Sequence, residues 1–386
     1  MLESIGPILC VVGARPNFMK IAPLIAAFRA EPAPISACLV HTGQHYDEGM
    51  KGTFFDQLGI PEPDIDLGVG SGTHAVQTAE IMRRFEPVVD AHDPAAVLVV
   101  GDVNSTVACA LVAAKKGVPV IHVEAGLRSF DRSMPEEINR ILTDQLSDLL
   151  FITEESAREN LVREGVSEER IFFVGNVMID TLRRNLPRAV APASTLGGVG
   201  HPELVVDGDE GYGVLTLHRP SNVDDKDTLK RLIETVRDIS ARLPLVFPIH
   251  PRTAQRIREA GLETVLDSPR VVRLAPQGYL QMLGLIAHAR LVLTDSGGLQ
   301  EETTALGVPC ITLRENTERP VTVAHGTNTV VGSNPQRILA TVADILQTGG
   351  KRGRIPELWE GRAALRIKAV LQDWLAQASA SQAVAR

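Results

Sequence analysis

The sequence contains few cysteines, and none of them is paired as CxxC. Only four are present in 386 residues, at Cys10, Cys38, Cys109 and Cys310, and each lies in an apolar run. Cysteines in such surroundings are usually small core residues. We therefore expect a protein of a reducing compartment, the cytoplasm. No basic segment precedes the first apolar run, ILCVVG, so no signal peptide is predicted.

Long hydrophobic runs and an excess of positive charge are also absent. No apolar run approaches the roughly 20 residues that a membrane span needs. The net charge of −8 argues against nucleic acid or a membrane as a partner. With 44% hydrophobic and 22% charged residues the composition is typical of globular proteins, and 386 residues suit two domains.

Signatures of three common enzyme classes are missing. A serine hydrolase would show GxSxG, and a dinucleotide dehydrogenase would carry its glycine fingerprint where GARPN stands after the first strand. HExxH is absent, and the histidine pair His41 and His45 has Gly43 between its members. We therefore expect no metal, no nicotinamide and no other cofactor.

Short apolar segments alternate with helical segments along the chain. Near-continuous apolar strands indicate a parallel sheet that is covered on both faces. Their alternation with helices such as APLIAAFRA and TLKRLIETVRDISARL is typical of doubly wound α/β folds. The predicted strands are ILCVV, ACLVHTG, AVLVVGD and PVIHVE, followed by GVLTLH, PLVFPIH, VVRLA, LVLTDS and CITLR.

A segment rich in Pro, Gly, Ala and Asp, residues 187–213, predicts a connection between two domains. We place one Rossmann-like domain at 1–186 and a second at 214–364, followed by a helix over 365–386. Ligands of such sheets bind beyond the carboxyl ends of the strands, so we expect the two domains to face each other across a cleft that holds the site.

Charged residues follow two strands of the first half. Arg15 and Lys20 lie near a helix start at Pro16, where the helix dipole favours an anion. The alternative is a capped helix with two solvated cations. Asp102 follows AVLVV, and it either N-caps the helix STVACALVAAKK or acts in a loop at the strand end.

The stretch HVEAGLRSFDRSMPEEINR is dense in charge. Glu124 ends a core strand, where an acid needs a cationic partner or a function. Glu136 lies in the first turn of the next helix, where the helix dipole stabilises a carboxylate by about 0.3–1 kcal/mol. We expect Arg128 and Arg140 to neutralise these two acids. The helix is predicted from apolar residues at Ile138, Leu142, Leu146 and Leu149.

Polar residues also follow two strands of the second half. His218 and Arg219 follow GVLTL, and the SGG sequence at 296–298 opens a helix after LVLT. Glycines at a helix start let a phosphate or ribose approach backbone N–H groups. Glu302, one turn later, suits a pair of ribose hydroxyls. These residues indicate an enzyme that acts on a nucleotide-linked compound, and they leave group transfer, hydrolysis and isomerisation open.

Nine motifs in order resemble the non-hydrolysing UDP-N-acetylglucosamine 2-epimerases: GARPNFMKIAPL, HTGQHYD, GDVNSTVA, HVEAGLR, PEEINR, GNVMIDTL, LTLHR, TDSGGLQEE and TERP. The resemblance implies the glycosyltransferase-B fold, a UDP-binding second domain, a C-terminal helix that packs back on the first domain, and a homodimer. It implies reversible interconversion of UDP-GlcNAc and UDP-ManNAc for cell-surface polysaccharide biosynthesis. UDP is eliminated to leave 2-acetamidoglucal and is then added back, without metal or nicotinamide.

The resemblance also assigns roles to individual positions. Asp102, Glu124 and Glu136 match the family's catalytic acids, and His218 matches its catalytic histidine. The positions that match UDP contacts are Arg15, Lys20, Gln277, Met282, Ser296, Gly297, Gly298, Glu302 and Arg319, with Arg140 and Arg314 as further substrate-binding cations.

Some positions depart from the family pattern. Asn17 stands where many relatives have Glu, HRPSN stands in place of HRRE or HRAEN, and Met282 stands in place of the aromatic residue of some relatives. These departures together leave the identity of the sugar open. Gln44, His45 and His250 match a site for an activating UDP-GlcNAc in some bacterial relatives, but the arginine of that site has no clear counterpart around GVGSGTHAVQ. The alternatives are a hydrolysing epimerase, a glycosyltransferase of the same fold and a non-catalytic nucleotide-sugar sensor.

Overall fold

The computed structural model describes residues 6–43, 55–201 and 211–384. Its contacts divide the chain into two compact units, Met1–Arg184 with Glu357–Arg386 and Asn185–Pro356. The described residues of each unit form an all-parallel sheet, so the predicted α/β class with two Rossmann-like domains is confirmed. The chain enters the second unit at Asn185 and returns to the first at Glu357. The sequence predicted a first domain that ends at residue 186, a connection over 187–213 and a second domain over 214–364.

The strands of the first unit are β1 (Ile8–Val12), β2 (Ala37–His41), β3 (Ile65–Asp66), β4 (Ala96–Val100), β5 (Val120–Ala125), β6 (Leu149–Ile152) and β7 (Ile171–Phe173). Within the described residues they form one sheet in the order β3-β2-β1-β4-β5-β6-β7. The order reverses between β1 and β4, and the carboxyl ends beside such a switch point are where parallel α/β sheets bind ligands.

The described helices between residues 15 and 185 are α1 (Arg15–Arg29), α2 (His74–His92), α3 (Asn104–Lys115), α4 (Pro135–Leu146), α5 (Glu155–Arg163) and α6 (Val177–Asn185), with a 3-10 turn at Glu168–Arg170. Pro16 lies in the first turn of α1, as predicted, because its missing N–H costs nothing there. Every residue of β1 and β4 is buried, as expected for strands with both faces covered.

The strands of the second unit are β8 (Gly213–Thr216), β9 (Leu245–Pro248), β10 (Val271–Leu274), β11 (Leu291–Thr294), β12 (Cys310–Thr312) and β13 (Asn328–Val330). They pair in the order β10-β9-β8-β11-β12-β13, which places the switch point between β8 and β11. The helices are α7 (Pro192–Gly197), α8 (Pro220–Val223), α9 (Lys226–Ser240), α10 (Pro251–Glu259), α11 (Tyr279–Ala287), α12 (Gly297–Leu306), α13 (Pro320–Ala324) and α14 (Pro335–Thr348), with 3-10 turns at Leu186–Arg188 and Glu263–Leu266.

The last helix, α15 (Ala363–Val384), belongs to the first unit and packs against α1. Its start is held by Asp180, whose carboxylate accepts from the N–H groups of Ala363 at 3.0 Å and Ala364 at 2.8 Å. These bonds satisfy two N–H groups that have no partner inside the helix. Neither α15 nor any other helix of the described residues is long and apolar enough to cross a membrane.

The prediction for the helix after Pro135 is wrong at its end. The helix α4 stops at Leu146, and Leu149 begins strand β6, which pairs with β5 and β7. The apolar positions Ile138 and Leu142 are 43% and 49% exposed, and the buried side of α4 is polar. The apolar spacing is therefore helical, but the residues from Leu149 onward pair with two strands instead. Side chains on the buried face of α4 bind the turns that follow β4 and β5.

Candidate active site

Glu124 lies in β5, one residue before its end, and pairs with Lys20 of α1. Lys20 Nζ is 2.7 Å from Glu124 Oε1, and the side chains are 6% and 1% exposed. Two charges buried this deeply each lose their hydration, and only close pairing offsets that cost. Glu124 therefore has the cationic partner that its position demands. The alternative that Lys20 is a solvated cation is wrong.

The backbone of Glu124 is strained. Its φ angle is 76°, in the left-handed region that residues other than glycine seldom adopt. The register of β5 against β6 shifts between Val123 and Ala125, which marks an irregularity of the bulge type at this residue. Such a conformation costs of order 1–3 kcal/mol and is concentrated at functional sites.

Asp102 follows β4 and binds Arg140 of α4. Arg140 Nη1 donates to Asp102 Oδ2 at 2.5 Å, and the Asp102 side chain remains 22% exposed. Arg140 itself is buried and also donates to Glu137, from Nε at 3.0 Å and from Nη2 at 2.7 Å. The alternative that Asp102 N-caps α3 is wrong, because the N-cap is Val103 and no side chain caps that end.

Glu137 fixes the turn that leads into α4. Its carboxylate accepts from the backbone N–H of Ser129 at 3.0 Å and of Phe130 at 2.9 Å. Burial raises the pKa of Glu137, but these hydrogen bonds and the Arg140 charge outweigh burial and hold the pKa below its ordinary value. Glu136 beside it is half-buried in the first turn of α4, where the helix dipole favours its charge.

The prediction that Arg128 neutralises Glu124 or Glu136 is wrong. Arg128 Nη2 is 2.7 Å from Asp144 Oδ2 and 2.6 Å from Glu164 Oε2. Arg128 lies beyond the turn that follows β5, and this turn carries it away from the end of the strand to α4 and to the residue after α5. Sequence proximity is therefore a poor guide to which charges pair.

In the second unit, His218 forms a pair with Asp295. His218 Nδ1 lies 2.9 Å from Asp295 Oδ1, and the same carboxylate accepts from the backbone N–H of His218 at 3.0 Å and of Arg219 at 2.9 Å. Burial raises the pKa of Asp295, but the hydrogen bond and charge of His218 and these N–H groups hold it below its ordinary value. An ionised carboxylate only accepts, so Nδ1 carries a hydrogen and Nε2 faces away from the pair.

Glu302 of α12 is buried and bound by Tyr279. The Tyr279 hydroxyl donates to Glu302 Oε1 at 3.1 Å. Burial, with a smaller contribution from the neighbouring charge of Glu301, raises the pKa of Glu302 to about 7 despite the tyrosine hydrogen bond. A buried carboxyl group with a pKa near neutral pH is a candidate functional group.

The predicted UDP-site cations Arg314 and Arg319 are buried beside acids. Arg314 Nη2 is 2.7 Å from Glu318 Oε2, and Arg319 Nε is 2.7 Å from Glu301 Oε1. A Cβ atom at Gly297 would lie 2.6 Å from Glu318 Oε1, so any larger residue would displace that paired acid. The start of α12 therefore packs directly on this ion-pair cluster.

The other predicted UDP contacts lie around α11 and the start of α12. Gln277 Nε2 donates to a backbone carbonyl, that of Ala275, at 2.8 Å. Met282 is a partly buried residue of α11 that packs against the core of the second unit. Ser296 is the N-cap of α12 and makes no side-chain capping bond, and Gly298 is a first-turn residue of this helix.

The residues of the predicted activator site are described only in part. His250 is the N-cap of α10, and its ring centre lies 6.1 Å from that of His218. Gln44 and His45 lie outside the described residues. The activator site therefore stays a prediction, and Arg15 is placed only as the first residue of α1.

Asp295, His122 and Asp144 were not predicted as functional residues from the sequence. Asp295 follows β11 directly, as Asp102 follows β4, so the same strand-end argument could have found it. His122 and Asp144 lie inside a strand and a helix, where no local pattern marks them. Among the described residues, no group of three or more His, Cys, Asp or Glu side chains could hold a metal ion.

Two parallel α/β units, one with carboxylates at its strand ends and one with a His–Asp pair and a glycine-initiated helix, are typical of nucleotide-sugar enzymes of the glycosyltransferase-B fold type. Residues 27–372 match a family model that is described as UDP-N-acetylglucosamine 2-epimerase. The chain therefore belongs to the UDP-N-acetylglucosamine 2-epimerase family, as its motifs indicate.

Similar proteins cover nearly the whole chain. The UDP-N-acetylglucosamine 2-epimerase of Methanocaldococcus jannaschii is 43% identical over 94% of this chain and 97% of its own. The UDP-2,3-diacetamido-2,3-dideoxy-D-glucuronate 2-epimerase of Pseudomonas aeruginosa is 42% identical over 84% of this chain and 88% of its own. A crystal structure of the M. jannaschii UDP-GlcNAc 2-epimerase in complex with UDP-GlcNAc and UDP has a TM-score of 0.86 at 42% identity, covering 95% of this chain and 99% of that chain.

Proposed function

We propose that this protein catalyses the reversible C2 epimerisation of UDP-GlcNAc to UDP-ManNAc. The observation that carries the proposal is the set of carboxylates in the first unit. Glu124 is held by Lys20, Asp102 is held by Arg140, and Glu136 lies in the first turn of the helix that supplies Arg140. Inversion at C2 needs a proton removed from one face of the sugar and a proton delivered to the other, which carboxylates at separate fixed positions supply.

The chemistry couples two bond changes, because the C2–H bond is only weakly acidic. A carboxylate takes the C2 proton, the electron pair of the C2–H bond forms a C1=C2 double bond, and the C1–O bond breaks so that its electron pair leaves with UDP. The remaining 2-acetamidoglucal takes a proton on the opposite face of C2 while UDP returns to C1. We assign these proton transfers to Asp102, Glu124 and Glu136, without an order among them. Lys20 and Arg140 keep the carboxylates in place.

We assign most contacts of the UDP group to residues of the second unit. The start of α12 offers backbone N–H groups, and His218 can donate to the leaving diphosphate, where negative charge develops. Glu302 is assigned to the ribose hydroxyls. The remaining assigned UDP contacts are Arg15, Gln277, Met282, Ser296, Gly297, Gly298, Arg314 and Arg319, whereas the buried pairing of Lys20 and Arg140 supports their role beside the acids.

Proton NMR of the purified protein with UDP-GlcNAc in D2O, with no metal or nicotinamide added, tests the proposal. We expect deuterium at C2 and a growing UDP-ManNAc signal, since the proton that returns comes from solvent. Release of free ManNAc and UDP would instead identify a hydrolysing epimerase. An unchanged C2 proton, with no product formed, would contradict C2 chemistry on this substrate.

A second substrate has support from the comparisons. The relative named for UDP-2,3-diacetamido-2,3-dideoxy-D-glucuronate has 42% identity, close to the 43% of the relative named for UDP-GlcNAc. Both compounds undergo inversion at C2 and differ in the C3 and C6 groups. Measuring kcat/KM for the two compounds side by side separates them. Turnover of the glucuronate alone would keep the proposed chemistry and change the substrate.

Uridine is expected to bind about tenfold more tightly at pH 8 than at pH 6, because its ribose hydroxyls donate to ionised Glu302. With a pKa of about 7, the ionised fraction of Glu302 rises from about a tenth at pH 6 to about nine tenths at pH 8. Uridine is the suitable probe, since it has no phosphate that titrates there. Calorimetry at both pH values measures the change.

The same raised pKa of Glu302 makes the ligand-free fold lose stability as the pH rises from 4.5 through about 7.

The matched control for this pH dependence is Glu302→Gln, which keeps the size of the side chain and removes its titration. Its uridine affinity is expected to be the same at pH 6 and pH 8. A wild-type affinity that also stays constant would show that Glu302 does not receive the ribose. An equal pH dependence in both proteins would assign the titration to another group.

We also propose a homodimer that forms through one apolar face of the first unit. This dimer face consists of Phe130, Ile138 and Leu142, which are 70%, 43% and 49% exposed. Ile138 and Leu142 lie four residues apart on α4 and so share a side of the helix, and Phe130 precedes it. A helix that buries polar side chains and exposes apolar ones is suited to a partner surface. A second copy is the commonest partner of this kind.

The double substitution Ile138→Glu with Leu142→Glu is expected to convert the dimer into a monomer of 41.7 kDa, because two buried carboxylates would lose their hydration at the interface. Light scattering after size exclusion measures the mass. Leu365→Glu, at an apolar position that is 51% exposed on α15, is the matched control and leaves the dimer intact. A wild-type monomer, or a dimer that survives the double substitution, would contradict the proposed face.

We further propose that the protein works in the cytoplasm. The support is the state of its four cysteines, none of which is in a disulfide, as expected for a reducing compartment. Burial raises the pKa of the Cys10, Cys109 and Cys310 thiols, so these three are unreactive core residues.

A further inference from the structure

A buried histidine–aspartate pair connects the two turns that carry Asp102 and Glu124. The pair consists of His122 in β5 and Asp144 in α4. Both side chains are fully buried, and His122 Nδ1 lies 2.6 Å from Asp144 Oδ1. Neither residue is among the groups assigned to proton transfer or to UDP.

One end of the pair holds the turn before Asp102. His122 Nε2 lies 2.8 Å from the carbonyl oxygen of Gly101, and because a carbonyl only accepts, Nε2 donates. Gly101 has a φ angle of 66° and directly precedes Asp102. A Cβ atom at Gly101 would lie 2.7 Å from Lys20 Nζ, so this turn is also packed against the lysine that binds Glu124. His122 therefore fixes the backbone that presents Asp102.

The other end of the pair holds the turn after Glu124. Asp144 Oδ2 accepts from the backbone N–H of Gly126 at 3.1 Å. Gly126 lies two residues beyond Glu124, whose own φ angle of 76° is strained. Asn160 Nδ2 donates to the carbonyl of Gly126 at 3.0 Å, so both polar groups of this glycine are held. A strained backbone persists only where its surroundings over-determine it, and Asp144 supplies part of that restraint.

The carboxylate of Asp144 is also bound by an arginine. Arg128 Nη2 lies 2.7 Å from Asp144 Oδ2 and also binds Glu164. Burial raises the pKa of Asp144, but the charge and hydrogen bonds of His122 and Arg128 hold it below its ordinary value. An ionised carboxylate accepts at both oxygens, which the contacts to His122 and Gly126 require.

We propose that His122 and Asp144 are positioning residues that set the placement of Asp102 relative to Glu124 during C2 epimerisation. The inference rests on the proposed function. Because one buried pair restrains both turns, loosening it displaces the two carboxylates relative to each other. Proton transfer depends steeply on such placement, whereas most UDP contacts are assigned to the other unit, so UDP affinity is expected to change little.

The test uses His122→Gln and Asp144→Asn in the full-length protein, with kcat and KM from the NMR assay and UDP affinity from calorimetry. We expect kcat to fall by about 10- to 100-fold and KM and UDP affinity to change by less than about twofold. The double variant is expected to lose no more than the worse single variant, because both residues act through one pair.

Two further variants separate positioning from stability. Asp180→Asn weakens another buried acid of the same unit, one that holds the start of α15. It is expected to lower Tm without lowering kcat. Glu164→Gln removes a partner of Arg128 at a side chain that is 28% exposed, so it folds even if the buried variants do not. It is expected to lower kcat by about twofold to fivefold with KM unchanged.

Two results would overturn the inference while leaving the proposed function intact. One is an active wild-type protein with unchanged kcat in the His122, Asp144 and Glu164 variants. The other is a loss of kcat in Asp180→Asn as large as in the pair variants at a matched fall in Tm. Absence of C2 exchange in the wild-type protein would instead overturn the proposed function, and the inference with it.

Discussion

Asp102→Asn is expected to lower kcat for C2 exchange by about 100- to 10,000-fold, since an amide can neither take nor return the C2 proton. The fold should tolerate this change. Arg140 keeps its two hydrogen bonds to Glu137, so its buried charge retains a partner. UDP affinity is expected to stay within about twofold of the wild-type value. The substitution removes an interaction made in the transition state, not one made equally with the bound substrate. NMR exchange rates, calorimetry with UDP and Tm measure the three quantities.

The control for Asp102→Asn is the same change at an acid without a proposed role. Asp90 lies on α2 with 59% of its side chain exposed and pairs with Lys116. Asp90→Asn alters the net charge by the same amount and is expected to leave kcat unchanged. If Asp102→Asn retains more than about a tenth of the wild-type kcat, Asp102 is not a proton-transfer group. A loss confined to UDP affinity would point to a binding role.

Asp295→Asn is expected to lower kcat by about 100-fold or more, because the carboxylate orients His218. Asp295 accepts from His218 Nδ1 and from the backbone N–H of His218 and Arg219. Asparagine offers a single acceptor oxygen and turns an amide donor towards these groups, so the ring loses the acceptor that fixes its direction. His218 is 38% exposed, which leaves its other nitrogen accessible to a substrate.

A double-variant comparison tests whether Asp295 acts through His218. We expect His218→Asn, Asp295→Asn and the double variant to have similar kcat values, since the pair works as one unit. Asp267→Asn, at a side chain of the second unit that is 60% exposed, is the control for the change of charge. A double variant that loses the product of the two single effects would show that the residues act separately, and a fully active Asp295→Asn would remove its proposed role.

The strands and the residues beyond them could be predicted because their signals are local. All nine predicted strands are present, and Asp102, His218 and the SGG start of α12 follow strands as expected. A buried parallel strand needs apolar residues on both faces, and its carboxyl end must leave the sheet through a turn. Both requirements are visible within a few consecutive residues.

The partners of the charged residues could not be predicted, because the pairing residues are far apart in the chain. Lys20 and Glu124 are separated by 104 positions, and Asp295 and His218 by 77. The end of α4 is a similar case, since β6 exists only where β5 and β7 are present to pair with it. The buried pair of His122 and Asp144 leaves no local pattern.

The sequence by itself therefore determined the α/β class, the strand ends that carry the candidate residues, and the family, because hydrophobic periodicity and ordered motifs are properties of short segments. The tertiary structure alone decided which cation meets which acid, which face of α4 is buried, and that one histidine–aspartate pair binds the turns beside Asp102 and Glu124. Those outcomes depend on distances between segments that only the folded chain brings together.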